Sequence, residues 1–163
     1  MSLPQKTKNT LIIGIGNEFR KDDAVGLHTA RQLKELFSGN IDIVEMSGEG
    51  AELLEHWNSY ETVFIIDAVR TKNNPGTIFR FDSHTDNLPV SFFNYSSHAF
   101  GLAEAVEVGR KLSRLPSQLF IYGIAGENFS LGTGLSKEAE DAAKVVVRKI
   151  QEEIKKQFSL NIK

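Results

Sequence analysis

The segment TLIIGIGNEFRKDDAVG, Thr10 to Gly26, decides the predicted fold of this chain. It begins with a short apolar run, Leu11–Ile13, that is typical of a buried strand. Gly14 and Gly16 follow, and they let the backbone turn sharply and leave room for close approach. A polar asparagine and two adjacent aspartates come next, before a helical pattern begins. In an open α/β sheet the loops after the carboxyl ends of strands form the sites, so the segment predicts an α/β fold with a functional first loop.

The rest of the chain alternates between strand and helix patterns. Further strands are predicted at Ile41–Met46, Thr62–Ala68, Thr77–Phe81 and Leu119–Ile124. Helices are predicted from Asp22 or Asp23 to about Phe37, over Ala51–Asn58, from Ser97 or His98 to Leu112, and after the capping residue Ser136. This alternation predicts a three-layer α/β/α sandwich. We expect one domain over residues 1–163 with its core at about 10–155.

One strand of the predicted sheet is expected to be antiparallel to the others. Thr62–Ala68 is the most apolar strand and is expected to be central, because a strand buried on both faces reads as a nearly continuous apolar run. The turn signal Asn73–Gly76 separates it from Thr77–Phe81. We therefore expect these two strands to form an antiparallel pair in a mixed, mostly parallel sheet.

Composition excludes several classes of protein. The net charge of −2 over 163 residues favours neither nucleic acid nor an anionic membrane as a partner. The absence of cysteine excludes disulfides, thiolate nucleophiles and Cys-ligated metals. The polar N-terminus has no apolar signal-peptide core, and the apolar runs are too short to span a membrane. A cytoplasmic protein is expected.

Three polar residues are candidates for chemistry. Either Asp22 or Asp23 suits the N-cap of the first helix, which leaves the other to face outward. Asp67 ends an apolar strand, where a carboxylate costs free energy unless it is paired, hydrogen-bonded or exposed at a site. His98 is expected at the start of a helix, whose dipole keeps an imidazole neutral and able to bind a metal or accept a proton. A capping or surface histidine is the alternative interpretation.

Topology brings these candidates together. The first and third strands are expected to run parallel, so Asp23 and Asp67 should lie beyond the same edge of the sheet, beside the turn Ser47–Gly50. With His98 they form a set of two oxygen donors and one nitrogen donor. Such a set can bind a divalent metal with open positions or act as acid and base.

Two other sites are disfavoured by pattern. GIGNEF begins like a dinucleotide-binding fingerprint, but Phe19 stands where the third glycine is needed, which argues against NAD and FAD. No G-x-S-x-G motif marks a serine nucleophile.

Three blocks, GIGNEFRKDDAVG, FIIDAV and SSHAFGLAEAV, together resemble the hydrogenase maturation proteases. SGEGAELL and YGIAGENF are similar to further blocks of that family, and the resemblance extends from about Leu11 to Ile150. It implies a twisted five-stranded sheet with helices on both faces. It also implies an endopeptidase that removes a C-terminal extension from the precursor of a nickel–iron hydrogenase large subunit.

The resemblance assigns roles to the candidates. Asp23, Asp67 and His98 correspond by position to the family's nickel-contacting and catalytic residues. The nickel belongs to the substrate, so no permanently bound cofactor is expected. Nickel polarising the carbonyl, nickel activating a water, and a carboxylate acting as general base all remain open.

Substrate-binding roles are also expected in the first two glycine-bearing loops. Gly48 and Gly50 would leave space for the incoming tail, and Asn17 could donate a hydrogen bond to it. The expected partner is the large-subunit precursor, and the protease is expected to be a monomer.

Two other functions stay open at this point. The first is a metal-dependent hydrolase of small molecules with its own bound ion. The second is a non-catalytic binding or chaperone factor for the same large subunit.

Overall fold

The computed structural model describes residues 8–37, 39, 41–93 and 98–161, which form a five-stranded sheet with helices on both faces. The elements follow in the order β1 (Lys8–Ile15), a 3-10 turn (Lys21–Ala24), α1 (Val25–Leu36), β2 (Ile41–Met46), α2 (Gly50–Trp57), β3 (Tyr60–Val69), β4 (Ile78–Asp82), a second 3-10 turn (Val90–Phe92), α3 (Leu102–Lys111), β5 (Gln118–Ala125) and α4 (Lys137–Asn161). The predicted α/β class is confirmed. Among the described helices, none combines the length and apolar character that crossing a membrane requires.

The strand order is β2-β1-β3-β5-β4, with β3 at the centre as its apolar run predicts. Only β4 is antiparallel, so the mixed sheet is confirmed. The predicted partner of β4 was wrong, because β3 is flanked by β1 and β5 and β4 pairs with the outer edge of β5. The turn at Gly76 is tied to β5 instead: Gly76 N donates to Ala125 O at 2.7 Å.

Side chains of the strands alternate between two core layers. Leu11, Ile13 and Ile15 pack with α2 and α3, whereas Ile12 packs with α1 and α4. One apolar stripe of α4 is buried along its whole length. Its members are Ala139, Ala143, Val146, Val147, Ile150 and Ile154.

Glycines bring α1 into direct contact with the sheet. A Cβ on Gly14 would lie 2.3 Å from Gly26 O, and one on Gly26 would lie 2.2 Å from Ile15 O and 2.4 Å from Ile66 O. Gly26 thus allows the close approach of helix and strand that Phe19 cannot provide. As a result, the 3-10 turn before α1 lies directly beyond the ends of β1 and β3.

The start of α3 was predicted too early. The helix begins at Leu102, and the carboxylate of Glu104 accepts from Gly101 N at 3.2 Å. His98 therefore precedes the helix, while Ser97, the other predicted start, lies outside the described residues. Leu112, the predicted last residue of this helix, lies just past its end and is 59% exposed, because Ser113, with φ of 55°, turns the chain away.

Candidate active site

A small pocket opens at the carboxyl ends of β1 and β3, between Asp23 and Asp67. β1 and β3 are neighbours in the sheet. The chain leaves β1 for β2, which lies on one side of β1, and then returns to β3, which lies on the other side of β1. This reversal is the topological switch point, where open α/β sheets bind ligands. The pocket holds about 30 Å³ of space for water-sized groups. Its other lining residues include Gly48, Arg70 and Phe129.

Asp23 lies in the 3-10 turn and is partly exposed to the pocket. Its Oδ2 accepts from Asn17 N at 2.9 Å. The loop is tight, since a Cβ on Gly16 would lie 2.1 Å from Asp23 O. Burial raises the pKa of Asp23, while the Asn17 N–H and the charges of Arg70 and Arg20 act in the opposite direction. Asp23 is therefore the outward-facing carboxylate of the aspartate pair, a choice that the capping pattern left open.

Asp67 enters the pocket from the end of β3. Burial raises its pKa well above the ordinary value for aspartate, and the neighbouring Asp23 carboxylate adds to this effect. The Ala68 N–H opposes the shift. The pKa of Asp67 is therefore raised further than that of Asp23, first by burial and then by the like charge of Asp23.

Asp22 was predicted only as an alternative helix cap, and the structure gives it a different role. Neither aspartate caps α1, because the N-cap is Ala24 and it has no side-chain hydrogen bond. Asp22 is completely buried and accepts from Glu127 N (2.7 Å), Asn128 N (3.3 Å), Ser136 N (2.7 Å) and Ser136 Oγ (2.8 Å). Ser136 also caps α4 as predicted, by accepting from Ala139 N at 3.2 Å. Asp22 therefore fixes the loop between β5 and α4 beside the pocket.

Arg70 is a site residue that sequence reasoning missed. It follows β3 directly, and its guanidinium lies 4.3 Å from the centre of the Phe129 ring. The ring is itself confined, since a Cβ on Gly126 would lie 2.5 Å from Phe129 Cζ. The sequence feature that could have indicated it is a cationic residue three positions after Asp67, just past the end of β3. Arg70 brings the one positive charge that lines the described pocket.

The two predicted substrate-binding glycines occupy different surroundings. Gly48 lines the pocket with φ of +96°, and a Cβ there would lie 2.9 Å from Ile15 Cγ2. Gly50 faces Phe100, whose ring would lie 2.3 Å from an added Cβ, and Gly50 N donates to Phe100 O at 2.9 Å. The space beside Gly50 is thus filled by the chain's own aromatic residue.

Asn17 serves its own loop. Its Oδ1 accepts from Phe19 N at 2.9 Å, and its N–H donates to Asp23. The predicted hydrogen bond from Asn17 to a substrate stays a prediction.

His98 is partly exposed and is not among the residues that line the pocket of Asp23 and Asp67. Its neighbour is Glu49, whose pKa is lowered by the N–H groups of Ala51 and Glu52 and further by electrostatic interaction with the His98 side chain. Within residues 8–37, 39, 41–93 and 98–161, no three His, Asp or Glu side chains are grouped closely enough to hold a metal ion. The structure therefore brings Asp23 and Asp67 together, and the role of His98 stays a prediction.

Comparison with known proteins gives one consistent match. A family model for hydrogenase maturation proteases matches residues 27–153. The hydrogenase 2 maturation protease of Escherichia coli K12 is 28% identical over 134 residues, which cover 80% of each protein.

Solved structures agree with this match at the level of the fold. The E. coli hydrogenase maturating endopeptidase HybD superposes with a TM-score of 0.75 over 91% of this chain and 93% of its own, at 21% identity. The [NiFe] hydrogenase maturation protease HybD from Thermococcus kodakarensis gives a TM-score of 0.65 over 90% of this chain and 98% of its own, at 26% identity.

Proposed function

The chain belongs to the hydrogenase maturation protease family, and we propose that it removes a C-terminal extension from the nickel-loaded precursor of a nickel–iron hydrogenase large subunit. Its relatives and structural neighbours are endopeptidases of hydrogenase maturation. We also expect a monomeric cytoplasmic enzyme.

The observation that carries the proposal is the small pocket that Asp23 and Asp67 both line. A space of about 30 Å³ admits an ion or a water but no peptide chain. The substrate peptide must then lie across the mouth of the pocket while one small group enters it. A nickel ion held by the precursor has the size and charge for that position.

The two carboxylates differ in proton affinity, which suits acid–base chemistry. Burial raises the pKa of Asp23, but the Asn17 N–H and the charge of Arg70 oppose that shift, so Asp23 is the more readily ionised of the two and the candidate general base. Asp67, whose pKa is raised by burial and by Asp23, is the better proton carrier. An arriving divalent cation favours the ionised form of both. Nickel binding would therefore lower the raised pKa of Asp67 and favour its carboxylate form.

The nickel is part of the substrate in this proposal. Asp23 and Asp67 would give it two oxygen ligands, and His98, which does not line the pocket, would have to move toward them to give it a nitrogen ligand. Imidazole and carboxylate groups are both suitable ligands for divalent nickel. The resident enzyme would need no cofactor of its own, because the metal arrives with each precursor.

The test is cleavage of the large-subunit precursor, prepared with and without nickel. Wild type, Asp67→Asn and the control Asp141→Asn, on the exposed side of α4, are compared by intact mass. We expect the tail to be lost only from loaded precursor, and the rate with Asp67→Asn to fall about 10²- to 10⁴-fold, as for loss of a general acid or base. Asp141→Asn should match wild type.

Other outcomes would replace the proposal. A stable complex without any cleavage would favour a binding factor for the large subunit. Equal cleavage of loaded and nickel-free precursor would remove nickel from the mechanism. Neither cleavage nor a complex would point to hydrolysis of a small molecule.

A further inference from the structure

Two large apolar side chains stand exposed on the loops that border the pocket. Phe19 is 65% exposed and Leu131 is 75% exposed. The loop of Phe19 also supplies Gly16 to the pocket, and the loop of Leu131 supplies Phe129. A single exposed apolar residue needs no explanation, but a group of them beside a site marks an interaction surface.

Backbone hydrogen bonds hold the two loops side by side. Gly132 N donates to Phe19 O at 2.8 Å, and Lys21 N donates to Gly132 O at 3.1 Å. Arg20 and Gly132 form a parallel β-bridge. Phe19 and Leu131 each precede a bridged residue by one position, so the pairing sets them next to each other on one rim.

Both loops are also fixed from within. Phe19 N donates to Asn17 Oδ1 at 2.9 Å, and Ser130 N donates to Asn128 Oδ1 at 2.9 Å. Below them, the buried carboxylate of Asp22 accepts from Asn128 N. Two exposed apolar side chains are thus presented on ordered backbone. Binding through such residues loses little conformational entropy, and aromatic residues are frequent anchors of interfaces.

We propose that the Phe19–Leu131 rim is a docking surface for the folded body of the hydrogenase precursor, an inference that rests on the proposed function. The pocket admits only a small group, so contacts within it can supply little of the affinity for a macromolecule. The rim continues outward from the pocket along the same two loops. It therefore meets the part of the substrate that adjoins the scissile bond, and its apolar side chains fit an apolar patch there.

The test measures kcat and KM for nickel-loaded precursor with Phe19→Ser, Leu131→Ser and the double variant. Leu112→Ser is the matched control, because Leu112 is 59% exposed but lies near the start of β5, at the opposite end of the sheet. We expect the double variant to raise KM at least about ten-fold, with the smaller change in kcat, as for loss of an interface anchor. Phe19→Leu should raise KM much less than Phe19→Ser does, and Leu112→Ser should match wild type.

The outcomes separate the two proposals. If wild type cuts the precursor and the double variant keeps its KM within about two-fold, the docking surface is wrong and the proposed function stands. A loss confined to kcat would also overturn docking, since it would place the loops in catalysis. Wild type that neither cuts nor binds the precursor would overturn both proposals. A wild-type dimer in sedimentation, dissociated by the same substitutions, would assign the rim to self-association.

Discussion

Asp22 and Asp23 are adjacent in the chain, yet they lie in opposite kinds of site. Asp22 is 0% exposed and accepts four hydrogen bonds from a loop more than a hundred residues away. Asp23 is partly exposed, accepts from Asn17 N, and shares a pocket with Asp67. A carboxylate whose oxygens already accept this many hydrogen bonds stabilises the fold, because charge-assisted hydrogen bonds replace its lost hydration. A carboxylate with unused lone pairs can still bind a ligand.

The largest expected effect on stability is at Asp22, whose carboxylate is buried and accepts four hydrogen bonds. Asp22→Asn keeps the shape of the side chain but removes its charge and turns an amide donor toward N–H groups. We expect the free energy of unfolding to fall by about 2–4 kcal/mol, which lowers Tm by about 5–15 °C in a chain of this size. Thermal denaturation followed by circular dichroism measures it, with Asp141→Asn as control. A loss below about 0.5 kcal/mol would show that the hydrogen bonds to Asp22 contribute little.

A pair of glycines gives a smaller effect that separates folding from function. Gly48, which lines the pocket, and Gly76, which does not, have φ of +96° and +87°. Alanine at either position should cost at least about 1–2 kcal/mol of stability, because an L residue is strained there and its Cβ would lie 2.9 Å from Ile15 Cγ2 at position 48 or from Glu138 O at position 76. Only Gly48→Ala should slow precursor cleavage beyond what its lower stability explains. Equal cleavage rates for Gly48→Ala and Gly76→Ala would remove Gly48 from the substrate path.

The smallest expected effect is a gain of stability when Asp67, in the pocket, is replaced by asparagine. The native pKa of Asp67 lies above its ordinary value of 3.8, so as pH rises the unfolded chain ionises first and unfolding is favoured. Asp67→Asn removes this penalty. Its Tm should therefore exceed that of wild type at neutral pH, and the difference should vanish at about pH 3, where Asp67 is protonated in both states. An increase that is the same at both pH values would indicate packing instead of charge.

Much of the fold could be predicted because local patterns decide it. The alternating run Ile41–Met46 is a strand over the same residues, and the stripe of α4 is buried as its period requires. The partner of β4 could not be predicted, because it depends on which edge of β3 is already taken by β5. A turn signal such as Asn73–Gly76 says that the chain reverses without saying against which strand.

The residues of the candidate site could also be predicted only in part. Asp67 stood out as a charge at the end of an apolar strand, a local anomaly that the sequence displays. The role of Asp22 depends on Glu127 and Ser136, which only the finished fold brings near it. Arg70 belongs to the pocket because Phe129, from another loop, lies against its guanidinium. No local pattern indicates such partners.

The hydrogen bond from Ser136 N to Asp22 spans 114 positions in the chain, which has a consequence for synthesis. A ribosome adds residues in order, so a nascent chain that already contains Asp23 and Asp67 still lacks the loop that Asp22 binds. Contacts of such high sequence separation form late and slow folding. The rim and the pocket are therefore completed only after most of the protein has been translated, and a truncated chain would hold both pocket aspartates without a finished protease around them.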